Sequence, residues 1–137
     1  MQKRFLLLGA ISAFAGVAAG SLGAHVLEAH LPTEALAVYE TAVRYQLIHA
    51  ISLLFIGLAA DRWPGAGWGW AGGMFVAGTV LFSGSLYALA LTGVRALGVV
   101  TPVGGVCFLV GWALAILSGT RSGAEVDDDR RGNGDRW

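Results

Sequence analysis

Charge is scarce in this sequence. Lys, Arg, Asp and Glu supply 13% of its 137 residues, against roughly 25% in an average soluble domain. That is too little to coat a water-facing globule of this length. Nine basic and nine acidic residues cancel, and they sit mostly at the two ends and in short connections, so there is no basic footprint for nucleic acid. Cysteine is nearly absent as well. The single Cys107 excludes an intrachain disulfide and any CxxC metal or redox motif, and beside Phe108 in an apolar run it reads as a small buried packing residue.

What the chain has instead is length without charge. A bilayer core is crossed by about 20 mostly apolar residues in a helix, and four stretches meet or approach that. The first runs from Phe5 to Ala24. The second runs from Leu47 to Ala60, extended backwards by Tyr39 to Gln46. The third covers Trp70 to Leu91 and the fourth Leu97 to Ser118. A membrane-embedded segment must satisfy its own amides, which leaves helices or a closed barrel, and apolar runs without strict alternation carry no barrel signal. The links Asp61–Gly65 and Thr92–Arg95 are too short for anything but antiparallel neighbours. The expected fold is an all-α membrane protein, a bundle of four transmembrane helices over residues 1–119, followed by a disordered polar cytoplasmic tail over 120–137 that lacks the apolar surface to offset its ordering entropy.

Basic residues near the span ends set the expected orientation. Lys3, Arg4, Arg62 and Arg121 share one side, Arg44 and Arg95 the other, so both termini are expected in the cytoplasm of a multi-pass inner-membrane protein. Trp63, Trp68 and Trp70 cluster where interfacial rings are expected. Lys3-Arg4 before an apolar run and small residues also resembles a cleavable secretory signal, but the run is longer than a usual signal core, so the helix is expected to be retained.

Helices in lipid associate through close contact at small residues. Rows of these mark expected seams: Gly9, Ala13, Gly16 and Gly20 on the first span; Gly69, Gly73 and Ala77, then Gly84 and Ala88, on the third; Gly104, Gly111, Ala115 and Gly119 on the fourth. The partners expected are the lipid bilayer and either a second copy of the chain or another membrane protein, since such rows can close within a chain or between subunits.

All three histidines fall between Gly23 and Ser52. Leu31-Pro32-Thr33 marks a break before a new helix, because proline is tolerated only in a first turn. On that helix Glu40 and Arg44 stand at the spacing that lets opposite charges pair. Thr41, Tyr45, His49 and Ser52 form one stripe, with Gln46 alongside. Polar groups entering a membrane face the bundle interior or a water-filled cavity, and Thr79, Ser83 and Tyr87 on the third span, with Ser85 nearby, offer a partner stripe. The candidate polar cluster is therefore His25, Glu40, Thr41, Arg44, Tyr45, Gln46, His49, Ser83, Ser85 and Tyr87.

Several chemistries fit these residue types. His25, Glu28 and His30 with His49 are a weak divalent-metal set, because one helix cannot aim positions i, i+3 and i+5 at one point. His25 and His49 could bracket a haem between two helices. Glu, Arg, His and Tyr could line a proton or solute path through a small carrier, although no broken-helix or inverted-repeat pattern stands out. Against these stands an interhelical hydrogen-bond network that fixes the bundle. No nucleophile, base and orienting third group can be assembled, so an enzyme is not expected, and no cofactor is required.

The segments Gly20–His25, Tyr39–Ala50, Phe82–Tyr87, Thr101–Gly105 and Gly111-Trp112 resemble, in order and spacing, the small membrane proteins called domain of unknown function 423, whose eukaryotic relatives are called transmembrane protein 256. The resemblance covers about residues 5–119. It implies four spans, a retained first helix and an inner-membrane location, and it implies no established activity. His25, Glu40, Thr41, Arg44, Tyr45, Gln46, His49, Ser83, Ser85, Tyr87, Thr101 and Pro102 match the family's motifs. Ser21-Leu22 stands where Ala-Phe is common and Glu28 where a basic residue is common, which lowers the weight of Glu28 and His30 as ligands.

Overall fold

The computed structural model describes residues 2–134, with side chains described for residues 3–122. Every regular element among them is helical. Helix α1 spans Gln2–His25, α2 Thr33–Arg62, α3 Ala66–Gly78, α4 Gly84–Thr92 and α5 Thr101–Gly134. A π-helical turn, Thr79–Ser83, joins α3 to α4, so that these two form one span. Four stretches among the described residues are long and apolar enough to cross a bilayer: Lys3–Ala29, Thr33–Arg62, Ala66–Thr92 and Arg95–Ser122. The chain is a four-helix membrane bundle, as its apolar runs require. The tail expected from 120 onward begins within α5, which runs to Gly134, and its side chains from 123 onward lie outside those described.

Local chemistry sets the boundaries. Pro32 precedes α2 in an extended conformation (φ −57°, ψ 151°), which suits a residue that cannot continue a helix backwards. Residues 33–38 are the first turns of α2, after a short 3-10 turn at Leu27–Ala29. At the far end Trp63 N–H closes on Ala59 O, and Pro64 follows. Helix α4 ends at Gly93, whose φ of 71° is left-handed and whose N–H bonds Leu89 O, a C-cap that disfavours any side chain. Pro102 sits in the first turn of α5, where its missing N–H leaves no bond unmade.

Helix α2 is the hub, packing on α1, α3, the π turn and α4, while α3 and α5 pack on each other. The apolar core lies towards the Trp63 end and includes Leu53, Ile56, Trp68, Phe75 and Phe108. Large apolar side chains such as Phe14, Val99 and Leu109 point outwards, each more than 70% exposed, a surface suited to lipid rather than water.

The first-span glycine row makes the expected seam. A Cβ on Gly9 would come 2.9 Å from Ala50 O, and one on Gly16 2.7 Å from a Leu47 methyl, while Gly20 meets Val43. On the fourth span Gly104 lies against the Phe82 backbone and Gly111 against the Phe75 ring. The third-span row is corrected at two positions. Positions 73 and 84 face nothing within 4 Å, and contact runs instead through Gly67 against Ser118, Gly72 against Phe5 and Gly78 against Phe108. The aromatic anchors are corrected in part: Trp63 and Trp70 are exposed, but Trp68 is buried and meets Phe55 edge-on at 6.1 Å between centroids. Cys107 is a free, half-buried thiol.

Candidate functional site

The buried face of α2 carries Gln46, His49 and Ser52, and these divide the polar stripe into groups that reach other helices and groups that do not. Gln46 reaches furthest. Its Nε2 donates to Ser12 O on α1 at 3.0 Å, and its Oε1 accepts from the Tyr87 hydroxyl on α4 at 2.7 Å. One planar amide thus joins three helices. Tyr39, on α2 closer to the α1–α2 link, sends its hydroxyl to Ala19 O at 2.9 Å and stands edge-on to the Tyr87 ring, centroids 5.0 Å apart.

His49 is held from both sides. Nδ1 bonds Tyr45 O at 2.8 Å, and Nε2 accepts from the Trp112 indole N–H on α5 at 3.3 Å. An indole nitrogen only donates and a carbonyl only accepts, so the ring is the neutral tautomer with its proton on Nδ1. Phe108 stacks on it with centroids 3.5 Å apart and planes 8° from parallel. Tyr45 extends the aromatic group through Phe82, at 4.5 Å, although its own ring is partly exposed.

The third-span hydroxyls behave differently from the expected partner stripe. Only Tyr87 bonds across to the second span. Thr79 returns to Phe75 O at 2.8 Å, just as Thr41 and Ser52 on α2 return to Ala37 O and Ile48 O. Ser85 ties α4 to α5 through Thr101 Oγ1 at 2.7 Å and also donates to Phe82 O at 3.0 Å. Ser83, 1% exposed, is in the π turn, and its hydroxyl oxygen and that of Ser12 are buried without a hydrogen-bond partner.

His25, Glu40 and Arg44 stand apart from this centre. His25 ends α1 and is exposed. The pairings of Gly9 with Ala50 and Gly23 with Tyr39 set the register of α1 on α2, and this places His25 and His49 about 20 Å apart along the bundle at 1.5 Å per residue. They cannot be axial ligands to one haem or share one metal. His30 bonds Val26 O within the link. No group of three or more His, Cys, Asp or Glu side chains converges among the described residues. Glu40 and Arg44 line an outward-facing recess between α1 and α2.

Tyr39, Trp112, Thr101 and Ser12 complete the centre and were not in the candidate cluster. A signal for the two aromatics was present: a phenol or indole inside an apolar span carries a polar tip that needs a partner. Ser12, which contributes its backbone carbonyl, offered none.

These same segments are matched by comparison with known proteins. The family described as "Protein of unknown function (DUF423)" matches residues 19–105. A UPF0382 membrane protein of Staphylococcus epidermidis is 44% identical over 117 residues, covering 85% of this chain and 95% of the relative. The UPF0382 membrane protein YwdK of Bacillus subtilis is 42% identical over 88% of this chain and 98% of its own length. The UPF0382 inner membrane protein YgdD of Escherichia coli K12 is 43% identical over 88% and 93%. No solved structure matches. With a helical bundle built for lipid and near full-length relatives that are named as membrane proteins, this chain belongs to the DUF423 family.

Proposed function

We propose that this chain is a non-catalytic inner-membrane bundle, both termini in the cytoplasm, with a structural, assembly or binding role that depends on a fixed helix arrangement. The observation that carries the reading is that Gln46 uses both ends of its amide, and His49 both ring nitrogens, on neighbours inside the bundle. A general base, a metal ligand or a proton relay needs a lone pair or proton free to exchange, and these groups hold theirs in hydrogen bonds, three of them to other helices and one, His49 Nδ1 to Tyr45 O, within α2. The orientation rests on Lys3, Arg4, Arg62 and Arg121 lying at one end of the bundle.

Elemental analysis and absorbance of the full chain purified in mild detergent test the reading, together with proton flux in proteoliposomes. The expected result is no stoichiometric metal, no Soret band and no flux above that of empty vesicles. Stoichiometric metal or haem, or flux lost in His49→Phe, overturns it. Reporter fusions at both termini test the orientation, and opposite locations for the two ends refute it.

A further inference from the structure

The charges left out of the polar centre lie together at the end of the bundle where α1 turns into α2. There the two helices enclose a recess of about 330 Å³ whose lining includes Gly20, Gly23, Tyr39, Glu40, Arg44 and Leu47. On the α1 side Gly20 and Gly23 form the wall, packed against Val43 and Tyr39 of α2. On the α2 side Glu40, Arg44 and Leu47 present a carboxylate, a guanidinium and an apolar side chain on successive turns. Although Glu40 and Arg44 have the spacing of a helix ion pair, no ion pair or side-chain hydrogen bond is made by either among the described residues.

Depth gives this order a meaning. From Asp61, at the opposite end of the span, the helix climbs about 25 Å to Arg44 and about 6 Å more to Glu40, against a hydrocarbon thickness of about 30 Å. With Asp61 at the opposite edge, Arg44 is rooted about 5 Å inside the hydrocarbon, from where a long basic side chain reaches up to the interface, and Glu40 stands where the headgroup layer begins. The sequence carboxylate, guanidinium, apolar contact, read inwards, is complementary to ammonium, phosphate, acyl chain in a phospholipid leaflet.

We propose that this recess is a binding site for a phospholipid with a primary ammonium headgroup, Arg44 pairing with the phosphate and Glu40 with the ammonium. A guanidinium meets two phosphate oxygens through its planar fork. A primary ammonium donates hydrogen bonds to the Glu40 carboxylate, which a quaternary choline cannot do. An anionic glycerol headgroup brings no cation to Glu40, so the carboxylate discriminates against it. The recess takes the lipid's glycerol region, and Leu47 lies beside its first methylenes. Tyr39 forms part of the wall, but the two groups that bind the headgroup, Glu40 and Arg44, belong to no interior contact, so the site stands or falls separately from the proposed function.

Native mass spectrometry of the detergent-purified full chain, titrated with dioleoyl phosphatidylethanolamine, phosphatidylcholine and phosphatidylglycerol, tests the site. One phosphatidylethanolamine per chain is expected, preferred on the order of tenfold over the other two, the worth of one charge-assisted hydrogen bond. Arg44→Gln is expected to weaken phosphatidylethanolamine binding by about the same factor. Glu40→Gln is expected to abolish the preference over phosphatidylcholine while leaving phosphatidylcholine binding intact. Both side chains are exposed, so an unchanged unfolding temperature of the lipid-free variants serves as the folding control. If Arg44→Gln does not fold, Glu40→Gln alone decides. A wild-type chain that takes the three headgroups equally, or a Glu40→Gln chain that keeps the wild-type preference, overturns the proposal.

Discussion

The Tyr87 hydroxyl donates to Oε1 of Gln46 at 2.7 Å across 41 residues of sequence, and the same amide holds Ser12 O on α1. Because lipid offers helices no hydrophobic reason to prefer one another over acyl chains, such directional bonds and close contacts at glycine fix which faces meet. The Gln46 amide therefore acts as a pin through three helices, and the aromatic group around His49 as a second pin reaching α5.

His49 combines ring stacking with two hydrogen bonds, and substitutions separate these contributions. His49→Phe retains the stack on Phe108 and is expected to lose roughly 1–2 kcal/mol for two neutral hydrogen bonds. His49→Ala also opens a cavity beside Phe108 and is expected to lose about 3 kcal/mol or more. Thermal unfolding in mild detergent should rank the wild type above His49→Phe and His49→Phe above His49→Ala. Equal losses in the two variants would show that stacking contributes nothing.

Glycine substitutions are expected to divide by seam. A methyl at position 104 meets Phe82 backbone atoms, including Cα at 2.8 Å, which cannot rotate away. Gly104→Ala should therefore destabilise by roughly 1–3 kcal/mol through overpacking. Gly73→Ala and Gly84→Ala meet nothing within 4 Å and should be neutral or gain up to about 1 kcal/mol of helix propensity. The same unfolding assay reads all three, and a destabilised Gly73→Ala would place a partner helix on that face.

The spans were legible because burial in lipid imposes one rule along the whole chain: about 20 residues without charge, with breaks at Pro32, Pro64 and Gly93. The first seam was legible because Gly9, Gly16 and Gly20 recur at helical spacing on one side of α1. The third was not. Gly67, Gly69, Gly72, Gly73 and Gly78 crowd α3, so small residues occur on several faces, and the π turn at Thr79–Ser83 adds a residue that shifts the phase of everything after it. Spacing placed His49 and Gln46 in the interior but could not tell which hydroxyls would cross to them. Thr41, Ser52 and Thr79 each have a carbonyl four residues back within reach, and that local bond wins. Arg44 and Glu40 read as part of the centre because helical periodicity reports a face only to within a turn's width, and their face opens outwards.

Two serines two residues apart are expected to respond in opposite senses. Ser83 buries a hydroxyl oxygen without a partner, so Ser83→Ala removes an unsatisfied group and is expected to stabilise by about 1 kcal/mol. Ser85 links Thr101 and Phe82 O, so Ser85→Ala should destabilise by about 1 kcal/mol and leave the Thr101 hydroxyl without its Ser85 partner. Unfolding midpoints shifted in the same direction would count against the hydrogen-bond assignment in the π turn.

The interior lock is tested most directly by a double-mutant cycle on Gln46→Met and Tyr87→Phe, with unfolding free energy measured in bicelles or mild detergent. The cycle isolates the pair from the separate loss of the Ser12 contact. A coupling of about 0.6–1.7 kcal/mol, the range for interhelical hydrogen bonds in membranes, is the expected result. A coupling indistinguishable from zero, with the two single losses simply adding, would contradict a bundle held by its polar centre.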